Sequence, residues 1–148
     1  MCKYPRLIDS NAKSVLIRGS RKLLVVSRCL EVEKPRVLED FKSKGYALLT
    51  ACPEAEHVNM LGFKLAGVIA RGDFEEVSVL TVDGSMHCTQ LHWMLEEVFK
   101  IMGLEIARRH YVVHEGEVLE VSREVVKAAR FLAKLAKALA VHGRGELA

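Results

Sequence analysis

The segment Leu23-Leu24-Val25-Val26-Ser27-Arg28-Cys29 is an apolar run rich in β-branched residues that ends in a cysteine. Two further runs have the same form, since residues 46–52 end in Cys52 and residues 77–82 are followed by Cys88. Short apolar runs of this kind are typical of strands buried on both faces of a parallel sheet. Because parallel strands end at the same edge, we expect the three cysteines to gather there, where open α/β sheets place their ligands.

Helical patterns separate these runs. Lys34-Pro35 opens a short predicted helix, and Cys52-Pro53 begins a second, in which apolar residues recur at helical spacing. Ser85 is a predicted cap for a third helix that ends at Gly103. Strands that alternate with helices predict right-handed crossovers and hence a three-layer α/β domain with a mainly parallel sheet, either flavodoxin-like or Rossmann-like. The flavodoxin-like order places the first strand between the second and third.

Two β-hairpins are predicted beside the parallel strands. Gly19-Ser20 separates the segment Val15-Leu16-Ile17-Arg18 from the strand that begins at Lys22, as a tight hairpin turn does. Glu115-Gly116 lies in the middle of residues 110–121 and predicts a second hairpin or a bulged strand.

The composition is that of an ordinary soluble protein, with 50% apolar and 28% charged residues among 148. We expect one domain over residues 1–148. No apolar run is long enough to span a bilayer and the N-terminus lacks an apolar signal core, so we predict a cytoplasmic protein. Amide residues are scarce beside abundant Glu, Lys and Arg, a composition typical of hyperthermophiles, whose intracellular proteins contain disulfides. The compartment therefore does not decide between a disulfide and a metal site.

Thiol and imidazole groups near the predicted edge form a candidate metal site. Cys29, Cys52 and Cys88 supply the thiols. His92 lies four residues after Cys88, which puts both on one helix face, and His57 is a further nitrogen donor. Cys52 at one predicted helix start and Cys88 in the first turn after Ser85 are placed where thiolates are favoured, more strongly for Cys88 because Glu54 and Glu56 oppose the effect at Cys52. The spacing matches none of the strong zinc patterns. We predict a site for zinc or an iron-sulfur cluster, used in redox or electron transfer.

Other interpretations of the cysteines stay open. Free cysteine is among the most buried residue types, so the three thiols can be buried without chemistry. A structural disulfide is compatible with the spacing of adjacent strands. A third function is a cysteine-dependent hydrolase or transferase, in which Cys88 is the nucleophile and His92 or His57 the base.

The C-terminal part of the chain carries a basic stripe. Ser122 is predicted to cap one last helix that ends at Gly143. Four cations recur along this helix at spacings of three and four, opposite its apolar face: Lys127, Arg130, Lys134 and Lys137. Such a stripe suits RNA, DNA or an acidic protein. The alternative function is therefore a non-enzymatic interaction domain, self-associating or bound to a partner, with structural cysteines.

A sheet of this type with cysteines after successive strands, one of them in a Cys-Pro pair, is similar to the cluster-binding domain of nickel-iron hydrogenase small subunits and of the related complex I subunit. Cys29, Cys52-Pro53 and Cys88 carry this resemblance, within residues 22–102. The resemblance implies a four-iron cluster held by four cysteines, and a redox partner protein. Those families have paired or closely spaced cysteines after the first strand, where this chain has Cys29 alone, so Cys2 or a histidine would complete the set.

Overall fold

The computed structural model describes residues 3–142, which form a three-layer α/β fold around a five-stranded sheet. The strands are β1 (Lys22–Ser27), β2 (Tyr46–Ala51), β3 (Glu76–Val82), β4 (His110–His114) and β5 (Glu117–Val121). Their order is β2-β1-β3-β4-β5, and β5 alone is antiparallel to its neighbour. The predicted fold class is confirmed, and β1 lies between β2 and β3 as the flavodoxin-like order requires.

Helices cover both faces of the sheet because the central strands are apolar on both sides. The helices are α1 (Val15–Arg18), α2 (Leu30–Glu33), α3 (Pro35–Ser43), α4 (Val58–Arg71), α5 (Thr89–Met102), α6 (Arg123–Ala128) and α7 (Leu132–His142). Leu23 and Val25 of β1 belong to the core beneath α1, α4 and α5, whereas Leu24 and Val26 belong to the core beneath α2 and α3. None of the helices in the described part of the chain has the length and apolar character of a membrane span.

The second predicted hairpin is present and the first is not. β4 and β5 pair from His110 to His114, and Glu115 and Gly116 have the positive φ angles of a two-residue hairpin turn. Residues 15–18 are helical instead, because the Ser14 side chain accepts the Leu16 N–H at the helix start. A hairpin partner could not pair with β1 in any case, because β2 and β3 already occupy the two edges of β1.

Three helix boundaries differ from the prediction. After Cys52-Pro53 the chain forms a turn, and α4 begins only at Val58 with His57 as its N-cap. The turn after β3 is longer than expected, so that Cys88, rather than Ser85, is the N-cap residue of α5. Ser122 does cap a helix, but residues 129–131 are not helical, so that α6 and α7 are two separate helices. The predicted end at Gly143 lies outside the described residues.

Candidate thiol site at the carboxyl edge of the sheet

The thiol edge, defined by the carboxyl ends of β1, β2 and β3 with Cys29, Cys52 and Cys88, is held together by short contacts. Ser27 lies opposite Ala51 at the ends of β1 and β2, so Cys29 and Cys52 leave the sheet from neighbouring strands. The Ser27 hydroxyl donates to Cys88 Sγ over 3.1 Å. This hydrogen bond ties the start of α5 to the end of β1. Cys88 is buried, Cys52 is half-buried and Cys29 is exposed.

The Cys29 thiol is protonated at neutral pH. Partial burial raises its pKa above the ordinary value of 9.0, and the charges of Cys88, Glu33 and Cys52 raise it further. The pairing of β1 with β2 brings Cys29 and Cys52 to one edge, and the Ser27–Cys88 contact brings Cys88 to the same edge.

The described thiols do not form a preassembled metal site. In residues 3–142, no three side chains of His, Cys, Asp or Glu are grouped closely enough to hold a metal ion. Cys2, the fourth cysteine, lies outside the described residues. Soft thiolates fit zinc or iron-sulfur chemistry, but a metal centre at this edge requires the side chains to move together.

A salt bridge braces the loops that carry Cys29 and Cys52. Arg28 Nη2 donates to Glu56 Oε2 over 2.5 Å, and Glu56 Oε1 accepts the Cys52 backbone N–H over 3.1 Å. The Arg28 backbone N–H donates to Ala51 O at the end of β2. The Nε of Arg28 is buried and has no hydrogen-bond partner. The salt bridge and the two backbone hydrogen bonds thus connect the loops that carry Cys29 and Cys52.

His92, predicted as a metal ligand or a catalytic base, points into the protein core. Its Nε2 lies 2.7 Å from Thr81 Oγ1 and its Nδ1 lies 2.9 Å from His110 Nδ1. His110 Nε2 continues the contact to Glu96 Oε2 over 2.8 Å. We call Thr81, His92, His110 and Glu96 the histidine chain. Both ring nitrogens of His92 are in use, so His92 is a ligand or a base only if this chain is broken.

The protonation states of the histidine chain follow from burial. Burial lowers the pKa of His92 to about 3, and the charge of His110 lowers it further. Burial also lowers the pKa of His110, against the effect of Glu96. Although burial opposes ionisation of Glu96, hydrogen bonds from Arg108 and His110 bring its pKa below the ordinary 4.5. At neutral pH the two histidines are neutral and Glu96 is a carboxylate.

These states fix the direction of every hydrogen bond in the histidine chain. The Glu96 carboxylate can only accept, so His110 donates from Nε2 and its Nδ1 accepts. His92 therefore donates from Nδ1, and its Nε2 accepts from the Thr81 hydroxyl. Arg108 donates twice to Glu96, over 2.6 Å and 3.1 Å, and closes the chain. All members are satisfied, as a buried polar network requires.

His57, the other predicted nitrogen donor, has a structural role at the start of α4. Its Nδ1 accepts the Asn59 backbone N–H over 3.1 Å, and its side chain is exposed. The Cys88 side chain is hydrogen-bonded to the Ser27 hydroxyl. Within the described residues, no hydrogen bond joins a cysteine to either histidine. The cysteine-dependent reaction with His57 or His92 as base therefore stays a prediction without a formed pair.

The basic stripe is exposed but is not one continuous helix. Lys127 lies on α6, Arg130 lies in the break, and Lys134 and Lys137 lie on α7. Arg130 and Lys134 lie over the Phe131 ring, at 5.9 Å and 5.0 Å from its centroid. Binding of nucleic acid or an acidic protein by these cations stays a prediction.

Comparison with known proteins agrees with the architecture. A family model described as a Rossmann-like domain matches residues 16–144 of the chain. No curated protein and no solved structure matches it. The match covers all five strands, so it supports the parallel sheet as a whole rather than one motif. It is silent on ligands, and the likeness to hydrogenase small subunits stays a prediction.

Proposed function

Since the chain belongs to the Rossmann-like domain family, and open α/β sheets bind ligands beyond the carboxyl ends of their strands, we propose that the thiol edge binds zinc or an iron-sulfur cluster. Cys29, Cys52 and Cys88 are the proposed ligands. The proposed role is redox or electron transfer, which also requires a partner protein.

The observation that carries this proposal is the position of the three cysteines after the carboxyl ends of the adjacent parallel strands β2, β1 and β3, with Cys88 held against Ser27 at the end of β1. The charges of Cys88 and Cys52 also raise the pKa of Cys29. A bound cation would offset this effect, because it neutralises the charge of thiolate ligands. Three soft donors from successive strands suit zinc or iron better than a hard cation such as magnesium.

A cluster with four cysteine ligands needs Cys2. The chain has four cysteines, so Cys2 is the fourth thiol to test. His92 is a poor fourth ligand, because both its nitrogens are hydrogen-bonded in the core.

We expect anaerobically purified protein to contain zinc, or iron with inorganic sulfide and a brown colour. Cys29→Ser, Cys52→Ser and Cys88→Ser should each lose most of the metal, because a hydroxyl is a much weaker ligand for these metals. Met86→Ser is the matched control, since Met86 is exposed in the same loop as Cys88. Metal analysis and absorption spectra measure the result, and unfolding curves establish that each variant is folded.

Cys2→Ser separates the two kinds of centre. A four-cysteine cluster loses its iron in this variant, whereas a site formed by the three described thiols keeps its metal. Wild-type protein that is colourless, free of metal, and unable to take up zinc or iron and sulfide would contradict the proposal.

Metal affinity should rise with pH, because the Cys29 thiol is protonated at neutral pH and must release its proton on binding. We expect the apparent affinity for Zn²⁺ to rise about tenfold per pH unit for each protonated thiol that binds. Titrations with Zn²⁺ between pH 6 and pH 8 measure this slope. Cys29→Ser should bind more weakly and with a shallower slope. An affinity independent of pH would show that Cys29 does not bind the metal as a thiolate.

A further inference from the structure

The outer faces of α4 and α5 form an apolar groove that is separate from the thiol edge and shares no lining residue with it. This α4–α5 groove encloses about 730 Å³ and is lined by Val58, Phe63, Trp93, Met94 and Ile101, among others. Phe63 is 81% exposed and Ile101 is 75% exposed, although both helices bury their opposite sides in the core. Large apolar side chains grouped in this way mark an interaction surface rather than an ordinary solvated face.

The groove also carries one charge of each sign. Glu97 and Arg130 both line it, and both are exposed. Glu96, the neighbour of Glu97, pairs with Arg108, whereas neither Glu97 nor Arg130 forms an ion pair within the described part of the chain. The groove is thus an apolar centre beside a carboxylate and a guanidinium that form no ion pair with residues 3–142, although the guanidinium lies over the Phe131 ring.

This combination points to a second copy of the chain as the occupant. In a two-fold symmetric interface the same patch meets itself, so that each residue i contacts residue j of the partner and the reverse contact is repeated. A patch with both an unpaired acid and an unpaired base satisfies this condition, because Glu97 of each copy can meet Arg130 of the other. An apolar centre with a charged rim is also the usual composition of a homodimer interface.

We propose that the α4–α5 groove is the interface of a two-fold symmetric homodimer, with Phe63 and Ile101 at its centre and reciprocal Glu97–Arg130 ion pairs at its rim. The helix α7 follows Arg130 directly and has Leu132, Leu135 and Leu139 on one side. Leu132 is 79% exposed, so α7 presents a further apolar residue to solvent. Nucleic acid fits the groove poorly, because the groove lining is mainly apolar and holds a carboxylate.

Sedimentation equilibrium tests the interface directly. We expect the full chain to sediment at twice its 16.6 kDa mass. Phe63→Asp and Ile101→Asp should each shift the protein to a monomer, because the dimer would bury a charge at its centre. Val32→Asp is the matched control, since Val32 is 84% exposed on α2 in the opposite layer, and should leave the dimer intact. Circular dichroism establishes that the variants are folded.

A charge exchange distinguishes self-association from binding to any other partner. Glu97→Arg alone and Arg130→Glu alone should each weaken dimerisation at least about tenfold, because like charges then meet across the interface. The double variant should recover most of the loss, since the ion pairs re-form with reversed sign. A wild-type protein that is monomeric at high concentration would overturn the proposal. So would a dimer that is insensitive to all four substitutions, because its interface would lie elsewhere.

Discussion

On acidification from pH 7 to pH 4 the protein should lose about 3 kcal/mol of its free energy of unfolding through His92 alone. Burial holds the pKa of His92 at about 3 in the folded chain, against an ordinary value of 6.5 when unfolded. Between about pH 3 and pH 6.5, His92 therefore binds a proton in the unfolded state but not in the folded state. The stability is fully present above about pH 6.5 and is lost as the pH falls toward about 3.

Denaturant unfolding at several pH values, followed by circular dichroism, measures this loss. His92→Asn should be less stable at pH 7, because it breaks the histidine chain, but its stability should depend less on pH. His114→Asn is the control, because His114 is exposed, contacts Asp83 on the surface and lies outside the histidine chain. If His92 titrates near its ordinary value by nuclear magnetic resonance, the assignment of a buried neutral imidazole is wrong.

Replacing the buried carboxylate of Glu76 should cost about 3 kcal/mol of stability. Glu76 is 6% exposed and accepts hydrogen bonds from the Tyr46 hydroxyl, from Ser78 Oγ over 2.8 Å and from Arg109 Nε over 3.3 Å. Glu76→Leu removes the acceptor and leaves the Tyr46 and Ser78 hydroxyls to find other partners inside the protein. Burial and the hydrogen bond to Glu76 both raise the pKa of Tyr46, so this hydroxyl remains a donor throughout the physiological range.

Glu120→Leu is the matched control for Glu76→Leu. Glu120 also pairs with Arg109, over 3.0 Å, but its side chain is 49% exposed. An ion pair in water contributes little, so this variant should lose less than about 1 kcal/mol. Equal losses in the two variants would show that the partners of Glu76 find new hydrogen bonds after its removal. Thermal and denaturant unfolding at pH 7 measure both.

The parallel strands could be predicted because they depend on local apolar runs. Their order could be narrowed only to the flavodoxin-like or the Rossmann-like one, because right-handed crossovers are compatible with both. Residues 23–26 are apolar without alternation, which is the pattern of a strand covered on both faces. The same logic failed at Val15–Arg18, where a short run with three apolar residues forms α1. Its Ser14 cap and the lack of a free edge on β1 decided the outcome, and the second of these is a property of the finished sheet.

Some features of the candidate site could likewise be predicted from the sequence, and others could not. Cys29, Cys52 and Cys88 could be placed at one edge, because parallel strands end together whatever lies between them. The partners of His92 could not be predicted, because Thr81 and His110 come from two different strands and no periodicity encodes a hydrogen bond between them. The spacing of Cys88 and His92 predicted a shared helix face, but Cys88 lies at the N-cap of α5 and contacts Ser27, whereas His92 contacts Thr81 and His110 in the core.

The antiparallel strand β5 has a consequence for the behaviour of the protein at high concentration. It is the outermost strand beside β4, and an uncovered strand of this kind is a template for aggregation and fibril growth. Glu117 and Glu120 place charged side chains along it, and Glu120 is paired with Arg109, the residue directly before β4. Charged side chains on an outermost strand disfavour its pairing with a second sheet.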